Sequence, residues 1–242
     1  SHTGSEVTPD VTVKYGTRIL QKDTNYTISY ASNIEIGTAK VTITGMGFFT
    51  GEITVPFEIG VAIDAKNFPD ETFRTYVKEN IDTTPDDILS KDEREQVTKI
   101  NVSYKGISDL TGVEYFTALQ WLDCHNNQLK ELNVSQNTAL QMLHCYNNNL
   151  TKLNLSQNTA LQTLDCSNNS LTELDVRQNP ALQSLDCSSN QLTELNVRQN
   201  TALDRLYCFD NQLTELDVRQ NTALQELYCY NNNLTELDVR QN

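Results

Sequence analysis

The chain has 242 residues, a hydrophobic content of 38 % and a mean hydropathy of −0.50, which suits one elongated domain or two to three compact ones. No segment approaches the ~18 consecutive apolar residues of a membrane-spanning helix, so membrane insertion is not expected. The net charge of −14 and the pI of about 4.5 argue against nucleic acid as a partner, because an acidic surface repels phosphate backbones.

The first 60 residues alternate apolar and polar side chains with a period of two, as half-buried β-strands do. The predicted strands are Val11–Tyr15, Tyr26–Tyr30, Ala39–Thr44 and Ile53–Ile59. Residues 1–60 are therefore predicted to form a small all-β domain, Ig-like or β-grasp-like. The segments HTGSEVTPDVTVKYG, NYTISYASN, IGTAKVTITGMGFFTG and ITVPFEI resemble a repeat module of bacterial surface proteins. Such modules are usually tandem spacers that hold a binding domain away from the cell.

Residues 61–96 are predicted to form a helical cap of two short helices around an acidic loop. The first helix is indicated by apolar residues at helical spacing, which are Phe73, Tyr76, Val77 and Ile81. The helical pair directly precedes Val97, where a repetitive apolar pattern begins. A solenoid needs a cap over its first coil, and this segment is in the right place to provide one.

The acidic loop of this segment has two interpretations. On the EF-hand frame, liganding positions 1, 3, 5, 7, 9 and 12 fall on Asp82, Thr84, Asp86, Ile88, Ser90 and Glu93. Asp87 replaces the glycine of the sharp turn, Thr84 is a weak neutral ligand and Pro85 stiffens the loop. The segment from Ser90 to Glu93 is also a capping box for the second helix. This structural interpretation is favoured over Ca²⁺ binding, and no other cofactor is predicted.

From residue 97 the chain follows a 21-residue repeat. Six regular copies begin at Thr117, Thr138, Thr159, Pro180, Thr201 and Thr222, on the frame x-A-L-x-x-L-x-C-x-x-N-x-L-x-x-L-x-V-x-x-N. A weaker copy precedes them, with Lys105 in place of the first Asn. Parallel strands lie ~4.8 Å apart, so about seven coils would form a stack ~30–35 Å long. Residues 97–242 are predicted to be a right-handed, parallel β leucine-rich repeat solenoid with little helix, which makes the chain an α+β multi-domain protein.

Each repeat contains two half-repeats, and each half ends in an Asn. The apolar positions alternate in both halves, which predicts a flattened coil with two strand-like sides. Asn suits turns, and its amide can bond backbone groups of a neighbouring coil. The first predicted ladder is Asn127, Asn148, Asn169, Asn190, Asn211 and Asn232. The second is Asn137, Asn158, Asn179, Asn200, Asn221 and Asn242.

One cysteine occupies a buried position in every regular copy: Cys124, Cys145, Cys166, Cys187, Cys208 and Cys229. Neighbouring cysteines in such a column have parallel Cβ directions, which do not suit disulfides. A single-file column also brings too few ligands to one point for zinc, and catalysis needs an exposed thiolate. The six thiols are therefore predicted to be free, buried and structural.

The outward residues are nearly constant between copies on the second side of the coil and vary between copies on the first side. On the second side the triplet Glu173, Asp175 and Arg177 recurs almost unchanged, which is typical of a solvated face. On the first side the triplets vary and several are aromatic or basic. The predicted ligand-binding residues are Trp121, His125, His144, Tyr146, Arg205, Tyr207, Phe209, Tyr228 and Tyr230. Their alternative role is to stabilise neighbouring strands, and the proximity of His125 and His144 to Asp123 is interpreted as a surface coincidence.

The repeat frame with its cysteine resembles bacterial surface leucine-rich repeat proteins, in particular the internalin-like subgroup with a cysteine in each 21-residue repeat, over about residues 97–242. The stretch NFPDETFRTYV with the following loop resembles the N-terminal cap of such proteins. The resemblance implies a secreted or cell-surface bacterial protein that recognises an extracellular protein or carbohydrate and is not an enzyme. The alternative is a structural stalk, or a spacer that self-associates through the open C-terminal coil.

Overall fold

The computed structural model describes residues 5–242. They group into two compact units, one with the residues up to Ile63 and Asp82–Glu93, the other with Asp64–Ile81 and Arg94–Asn242. The first four residues of the predicted spacer module lie outside the described residues. The segment predicted as one cap, residues 61–96, is divided between the two units. The domain boundaries drawn from the sequence stay predictions.

Residues 5–63 fold as short β-strands, in keeping with their alternating sequence. The strands are β1 (Lys14–Tyr15), β2 (Arg18–Ile19), β3 (Tyr26–Ala31), β4 (Gly37–Gly45), β5 (Glu52–Ile59) and β6 (Val61–Ala62). β3, β4 and β5 form an antiparallel sheet in that order, and β1 pairs with β2. The predicted first strand is shortened because Gly16, at a φ of 61°, reverses the chain after Tyr15 and starts the unpredicted strand β2.

Both predicted short helices are present. α1 (Glu71–Asn80) begins after Asp70, whose Oδ1 accepts hydrogen bonds from the N–H groups of Thr72 and Phe73 at 3.0 and 3.1 Å. After α1 come β7 (Ile88–Leu89), which pairs with β6, and α2 (Lys91–Gln96). At α2, Glu93 N–H donates to Ser90 Oγ at 3.2 Å and Ser90 N–H donates to Glu93 Oε2 at 2.9 Å, so the predicted capping box is confirmed.

The segment that carries α1 covers the first coil of the repeats. Asp70 Oδ2 accepts hydrogen bonds from Ser108 N–H and Oγ at 2.9 and 3.2 Å. Phe68 is fully buried against Gly112, where a Cβ atom would lie 2.3 Å from the Phe68 ring. Gly112 also has a φ of 106°, so both its backbone and its lack of a side chain are required for this closure.

The repeats form one parallel sheet of seven strands, in sequence order along the sheet. The strands are β8 (Lys99–Asn101), β9 (Trp121–Asp123), β10 (Met142–His144), β11 (Thr163–Asp165), β12 (Ser184–Asp186), β13 (Arg205–Tyr207) and β14 (Glu226–Tyr228), with a 3₁₀ turn at Val113–Tyr115 after β8. Each strand pairs with the next without a register shift. The predicted parallel solenoid with little helix is confirmed.

The Asn residues of the first ladder join neighbouring coils through both the donor nitrogen and the acceptor oxygen of their side-chain amides. Asn148 shows the pattern: its Nδ2 donates to Cys145 O of its own coil at 3.0 Å and to Cys124 O of the preceding coil at 3.1 Å, and its Oδ1 accepts from Leu129 N–H at 3.0 Å. The second ladder uses only the donor end. Asn158 Nδ2 donates to Val134 O and Asn137 O, both at 2.9 Å, while its buried Oδ1 accepts no hydrogen bond from the described residues.

The turn after each strand has a left-handed residue that the sequence did not single out. The residue before each first-ladder Asn has a φ near 50°; these residues are Asn126, Asn147, Asn168, Ser189, Asp210 and Asn231. The second side of each coil keeps the predicted alternation of burial, as Leu132 and Val134 show, but no β-strand forms there within the described part of the chain. The expected strand-like second side is therefore an extended segment tied by Asn amides rather than a β-strand.

The six cysteines form the predicted column of free thiols. The first five are fully buried and Cys229 is partly exposed. Burial raises the pKa of all six thiols, and to about 12 for Cys208. The neighbouring thiol Cys124 adds to the shift at Cys145. The cysteine ladder is confirmed, and the role of its members as small hydrophobic side chains in the core stays a prediction that their burial supports.

Candidate functional site

The sheet register places the outward side chains of the repeats in three columns on one surface, which we call the strand face. The Trp121 column is Trp121, Met142, Thr163, Ser184, Arg205 and Glu226. The Asp123 column is Asp123, His144, Asp165, Asp186, Tyr207 and Tyr228. The His125 column, just after the strands, is His125, Tyr146, Ser167, Ser188, Phe209 and Tyr230. All predicted ligand-binding residues lie in these columns.

Four aromatic residues at the C-terminal end of the strand face stack in two pairs. The rings of Tyr207 and Tyr228 lie 5.0 Å apart with an interplanar angle of 20°, and those of Phe209 and Tyr230 lie 4.7 Å apart at 12°. These separations equal the ~4.8 Å spacing of parallel strands, so each ring covers a face of its neighbour. Tyr228 and Tyr230 are 51 % and 56 % exposed. The Tyr207 hydroxyl donates to the Glu226 carboxylate, which raises the pKa of Tyr207 to about 12.

The aromatic residues at the N-terminal end are more enclosed. His125 stacks on Tyr146 at 4.3 Å and 10°, and the edge of Tyr104 contacts it at 4.9 Å. His125 Nδ1 is also hydrogen-bonded to Asp123. His144 lies beside Tyr146 at 6.4 Å with tilted rings. The imidazole of His125 is therefore already in contact with Tyr146, Tyr104 and Asp123.

Trp121 is covered as well. The ammonium group of Lys99 lies 3.8 Å from the centre of the indole ring, and the indole N–H donates to the sulfur of Met142 at 2.6 Å. Lys99 and Tyr104 belong to the weaker first copy, so they were not among the predicted site residues. The spacing carried the necessary signal, because Lys99 lies 22 residues before Trp121 and pairs with it in register.

Small polar residues separate the two aromatic groups. Ser167 Oγ donates to Asp165 Oδ1 at 2.7 Å, and Ser188 Oγ donates to Asp186 Oδ1 at 2.6 Å. Burial raises the pKa of Asp165, and the charge of Asp186 adds to the shift against the hydrogen bonds from Ser167. The structure therefore brings the predicted residues together as two groups and not as one continuous patch.

The repetitive triplets of the second side form a second face with a groove of about 760 Å³. Lys152, Glu173, Glu194 and Glu215 are among the residues that line it. Its charges largely pair with one another: Arg177 with Asp175 at 2.7 Å, and both Arg198 and Arg219 with Asp217 at 2.8 Å. Hydrogen bonds from Arg177 lower the pKa of Asp175 to about 2. The Asp and Arg side chains of this groove thus already pair with one another.

The acidic loop is organised around the carboxylate of Glu93. Its Oε1 accepts hydrogen bonds from Thr83 N–H, Thr83 Oγ and Thr84 N–H at 2.9, 2.8 and 3.0 Å, and its Oε2 accepts from Ser90 N–H and Oγ at 2.9 and 2.8 Å. Burial alone would raise the pKa of Glu93, but these hydrogen bonds outweigh it and lower the pKa to about 2. Both oxygens that would ligate Ca²⁺ at position 12 of an EF-hand are thus occupied by protein donors.

The remaining residues of the loop also make local contacts. Asp82 Oδ2 accepts from Asp87 N–H at 3.1 Å, and Asp86 Oδ1 accepts from Ile88 N–H at 2.9 Å. Within residues 5–242, no group of three or more His, Cys, Asp or Glu side chains is placed to hold a metal ion. Ca²⁺ binding stays the less favoured prediction for this loop. None of the helices in the same range is long and apolar enough to cross a membrane.

Comparison with known proteins gives related sequences and structures. Residues 68–190, about half of the chain, match the family model described as the Endo-beta-N-acetylglucosaminidase EndoS LRR domain. A segment of 70 residues is 40 % identical to internalin J of Listeria monocytogenes, and it spans 29 % of this chain and 8 % of that protein. The solved functional domain of internalin J, described as including a cysteine ladder, is 32 % identical over 76 % of this chain and 50 % of that one, with a TM-score of 0.49.

Two further structures share the fold. A leucine-rich repeat protein of Leptospira interrogans is 27 % identical, covers 62 % of this chain and 42 % of its own, and has a TM-score of 0.57. Internalin C2 of Listeria monocytogenes is 19 % identical over 75 % of this chain and 92 % of that one, with a TM-score of 0.54. The chain spans half or less of internalin J and of the Leptospira protein.

Proposed function

Since this chain belongs to the leucine-rich repeat family named after the EndoS LRR domain, and is an internalin-like bacterial repeat protein, we propose that it is a non-enzymatic recognition module whose strand face binds an extracellular protein. The proposal extends to its location, which is the bacterial cell surface or the secreted fraction. Protein-binding leucine-rich repeats present variable side chains on a constant scaffold. The similarity to internalin J supports both parts.

The observation that carries the proposal is where the repeats differ. Inward positions are the same in every regular copy except that Leu155 replaces Val in the second one. Each coil is tied to the preceding one by the same Asn amides, as Asn148, Asn169 and Asn190 illustrate. From Glu173 onward the second face also repeats its triplets almost unchanged. Variation is concentrated in the three outward columns of the strand face. A surface that is free of structural constraint and rich in Tyr is typical of a protein-binding site.

The aromatic groups are not needed to form the sheet. β11 and β12 carry Thr163, Asp165, Ser184 and Asp186 at outward positions, yet they keep the same register as the aromatic strands. A ring pair adds only about 0.5–1.5 kcal/mol beyond its buried area. The rings therefore add stability to a fold that forms without them.

The ring orientation favours a protein over a carbohydrate at the C-terminal group. Sugars bind on open ring faces, but Tyr207 and Phe209 each keep only one open face, which is directed along the sheet towards the preceding coil. The stacked rings present mainly their edges and hydroxyl groups outward. Rings that present their edges over several coils suit a protein interface of about 800 Å² per partner better than a small-ligand pocket.

A binding screen with matched variants tests the proposal. The wild-type chain would be screened against an array of purified extracellular host and bacterial proteins and against a glycan array. The test variant replaces four aromatic residues: Tyr207→Ala, Phe209→Ala, Tyr228→Ala and Tyr230→Ala. The control variant replaces four side chains of the second face: Glu173→Ala, Glu194→Ala, Glu215→Ala and Glu236→Ala. We expect a protein ligand whose binding the aromatic variant loses by tenfold or more and the control keeps.

Two outcomes would contradict this function. Equal binding of the aromatic and control variants, both folded by circular dichroism, would remove the strand face from recognition. The stalk alternative predicts no external ligand and association into longer species, which light scattering over a range of concentrations would detect.

A further inference from the structure

The most distinctive feature of the strand face is a slot between its two aromatic groups. In the His125 column the rings of Tyr146 and Phe209 are three coils apart, with only Ser167 and Ser188 between them. Tyr146 stacks on His125 and Phe209 stacks on Tyr230, so each ring has one covered face and turns its other face towards the two serines. Three coil steps of ~4.8 Å separate the ring planes by ~14 Å. Subtracting one contact thickness of ~3.5 Å leaves a slot ~11 Å wide.

The slot also has an acidic inner edge. Asp165 and Asp186 are paired in register on adjacent strands, beside Ser167 and Ser188. Each carboxylate uses Oδ1 for its serine, and Oδ2 accepts no hydrogen bond from residues 5–242. The nearest basic residue on the following strand, Arg205, pairs with Asp204 at 3.1 Å. On the preceding strand, His144 lies in register with Asp165 and acts to lower the pKa of Asp165. No cation within the described range forms an ion pair with Asp165 or Asp186.

These features define the chemistry of an occupant. The walls are flat aromatic faces, which attract cations and planar groups. The inner edge offers two carboxylate oxygens ~4.8 Å apart, which suit a donor with several N–H groups in one plane. The chain as a whole has a net charge of −14 and therefore favours basic partners. A guanidinium group is the one protein side chain that is flat, cationic and a multiple donor.

We propose that the slot between Tyr146 and Phe209 receives an arginine side chain of the protein partner, with the guanidinium group against a ring face and hydrogen-bonded to Asp165 and Asp186. This inference rests on the proposed function, since it names the chemistry of the partner at the same surface. On this proposal, the centre of recognition is the group of small residues between the two aromatic groups. The stacked rings then form the walls and flanks of the site. Burial of the Asp165 carboxylate fits this role, because an incoming cation relieves the cost of keeping that carboxylate charged.

The direct test measures binding of a small probe to the chain by fluorescence anisotropy at low salt. The probe is a fluorescein-labelled heptapeptide with two arginines separated by one glycine, and its matched control contains citrulline, which has the same shape without the charge. The arginine peptide is expected to bind at least about tenfold more tightly than the citrulline peptide, and to weaken as salt is added. Equal affinity for the two peptides, or no measurable affinity for the arginine peptide, would overturn the proposal.

Three variants locate the site. Asp165→Asn with Asp186→Asn removes the charge and should lower arginine-peptide affinity about tenfold or more. Ser167→Tyr with Ser188→Phe fills the slot with side chains that the same column holds elsewhere, keeps both carboxylates, and should also abolish binding. The control Asp175→Asn with Asp217→Asn removes the same charge from the second face and should bind like the wild type. An equal loss in the control would show a non-specific effect of net charge and would refute the slot.

Failure of the proposed arginine slot can be distinguished from failure of the proposed function. A protein ligand that is lost by the four-alanine aromatic variant but retained by both slot variants would refute the slot while leaving recognition by the strand face intact. A ligand that none of these variants affects would refute both. Far-UV circular dichroism confirms folding, and the slot-filling and charge-removing variants perturb different groups, so failure of one to fold leaves the other decisive.

Discussion

Asn148 and Asn158 lie in the same coil, and their replacement by Ala should have clearly different costs. In the Asn148→Ala protein, Cys124 O and Cys145 O each keep a second hydrogen bond, from Nδ2 of Asn127 and Asn169. Leu129 N–H, however, loses its acceptor and stays buried. An unpaired buried donor costs about 1–3 kcal/mol, and each lost hydrogen bond about 1 kcal/mol. We therefore expect the free energy of unfolding to fall by about 3–5 kcal/mol.

The Asn158→Ala protein loses less. Val134 O still accepts from Asn137 N–H, and Asn137 O still accepts from Leu140 N–H. The substitution also removes Asn158 Oδ1, a buried oxygen that has no donor among residues 5–242. The loss of two hydrogen bonds is thus partly offset, and we expect a cost of about 0–2 kcal/mol. Both substitutions create a cavity of the same size, so the difference between them reports hydrogen bonding.

Urea denaturation measures this difference. Far-UV circular dichroism and the fluorescence of Trp121, the single tryptophan, should give coincident transitions if unfolding is two-state. Asn149→Ala serves as the control, because this exposed side chain lies in the same coil and the substitution should change stability by less than ~0.5 kcal/mol. An Asn158→Ala cost equal to or greater than that of Asn148→Ala would show that the two ladders do not differ as the hydrogen bonds indicate.

Three further results are expected. The five thiols from Cys124 to Cys208 should react with a thiol reagent only on unfolding, because they are fully buried in the folded protein. A carboxyl with a lowered pKa stabilises the fold above its unfolded pKa, 4.5 for Glu93, and this contribution disappears as the pH falls through about 2. Glu93→Gln should therefore lower the urea midpoint at pH 7 but change it little near pH 2. Asn168, with a φ of 50°, should tolerate Gly within ~0.5 kcal/mol, whereas Val should cost about 1–3 kcal/mol by the same urea measurement.

The 21-residue period was enough to predict most of the repeat unit. A strict period places equivalent residues in register, so the Cys column, both Asn ladders and the three outward columns follow from the alignment of copies alone. What the period could not supply is the distinction between the two sides of a coil. Both halves alternate in burial, but only the first half forms strands, because hydrogen bonding between coils depends on backbone geometry that an apolar pattern does not encode.

The candidate site was predicted as a set of residues and not as an arrangement. The sequence indicated which side chains face outward, but whether a ring is free or covered depends on its neighbours in space. Trp121 and His125 are outward and aromatic, yet Lys99 and Tyr104 cover them. Both covering residues come from the irregular first copy, where the alignment is weakest. Conversely, Ser167 and Ser188 carried no signal as binding residues, because a slot is defined by the rings beside it.

The constancy of the inward framework explains how such a slot can exist. In a sheet stabilised by outward side chains, an interruption of the aromatic columns would weaken the pairing at that point. Here the coils are aligned by Asn amides and by inward Leu, Val and Cys side chains. At the slot itself, Asn169 and Asn190 donate hydrogen bonds to Cys145 O and Cys166 O of the preceding coils. Each coil contacts only its neighbours. Outward residues can therefore change in one coil, from Tyr146 to Ser167, without a change in register, and recognition can be altered one coil at a time while the scaffold stays the same.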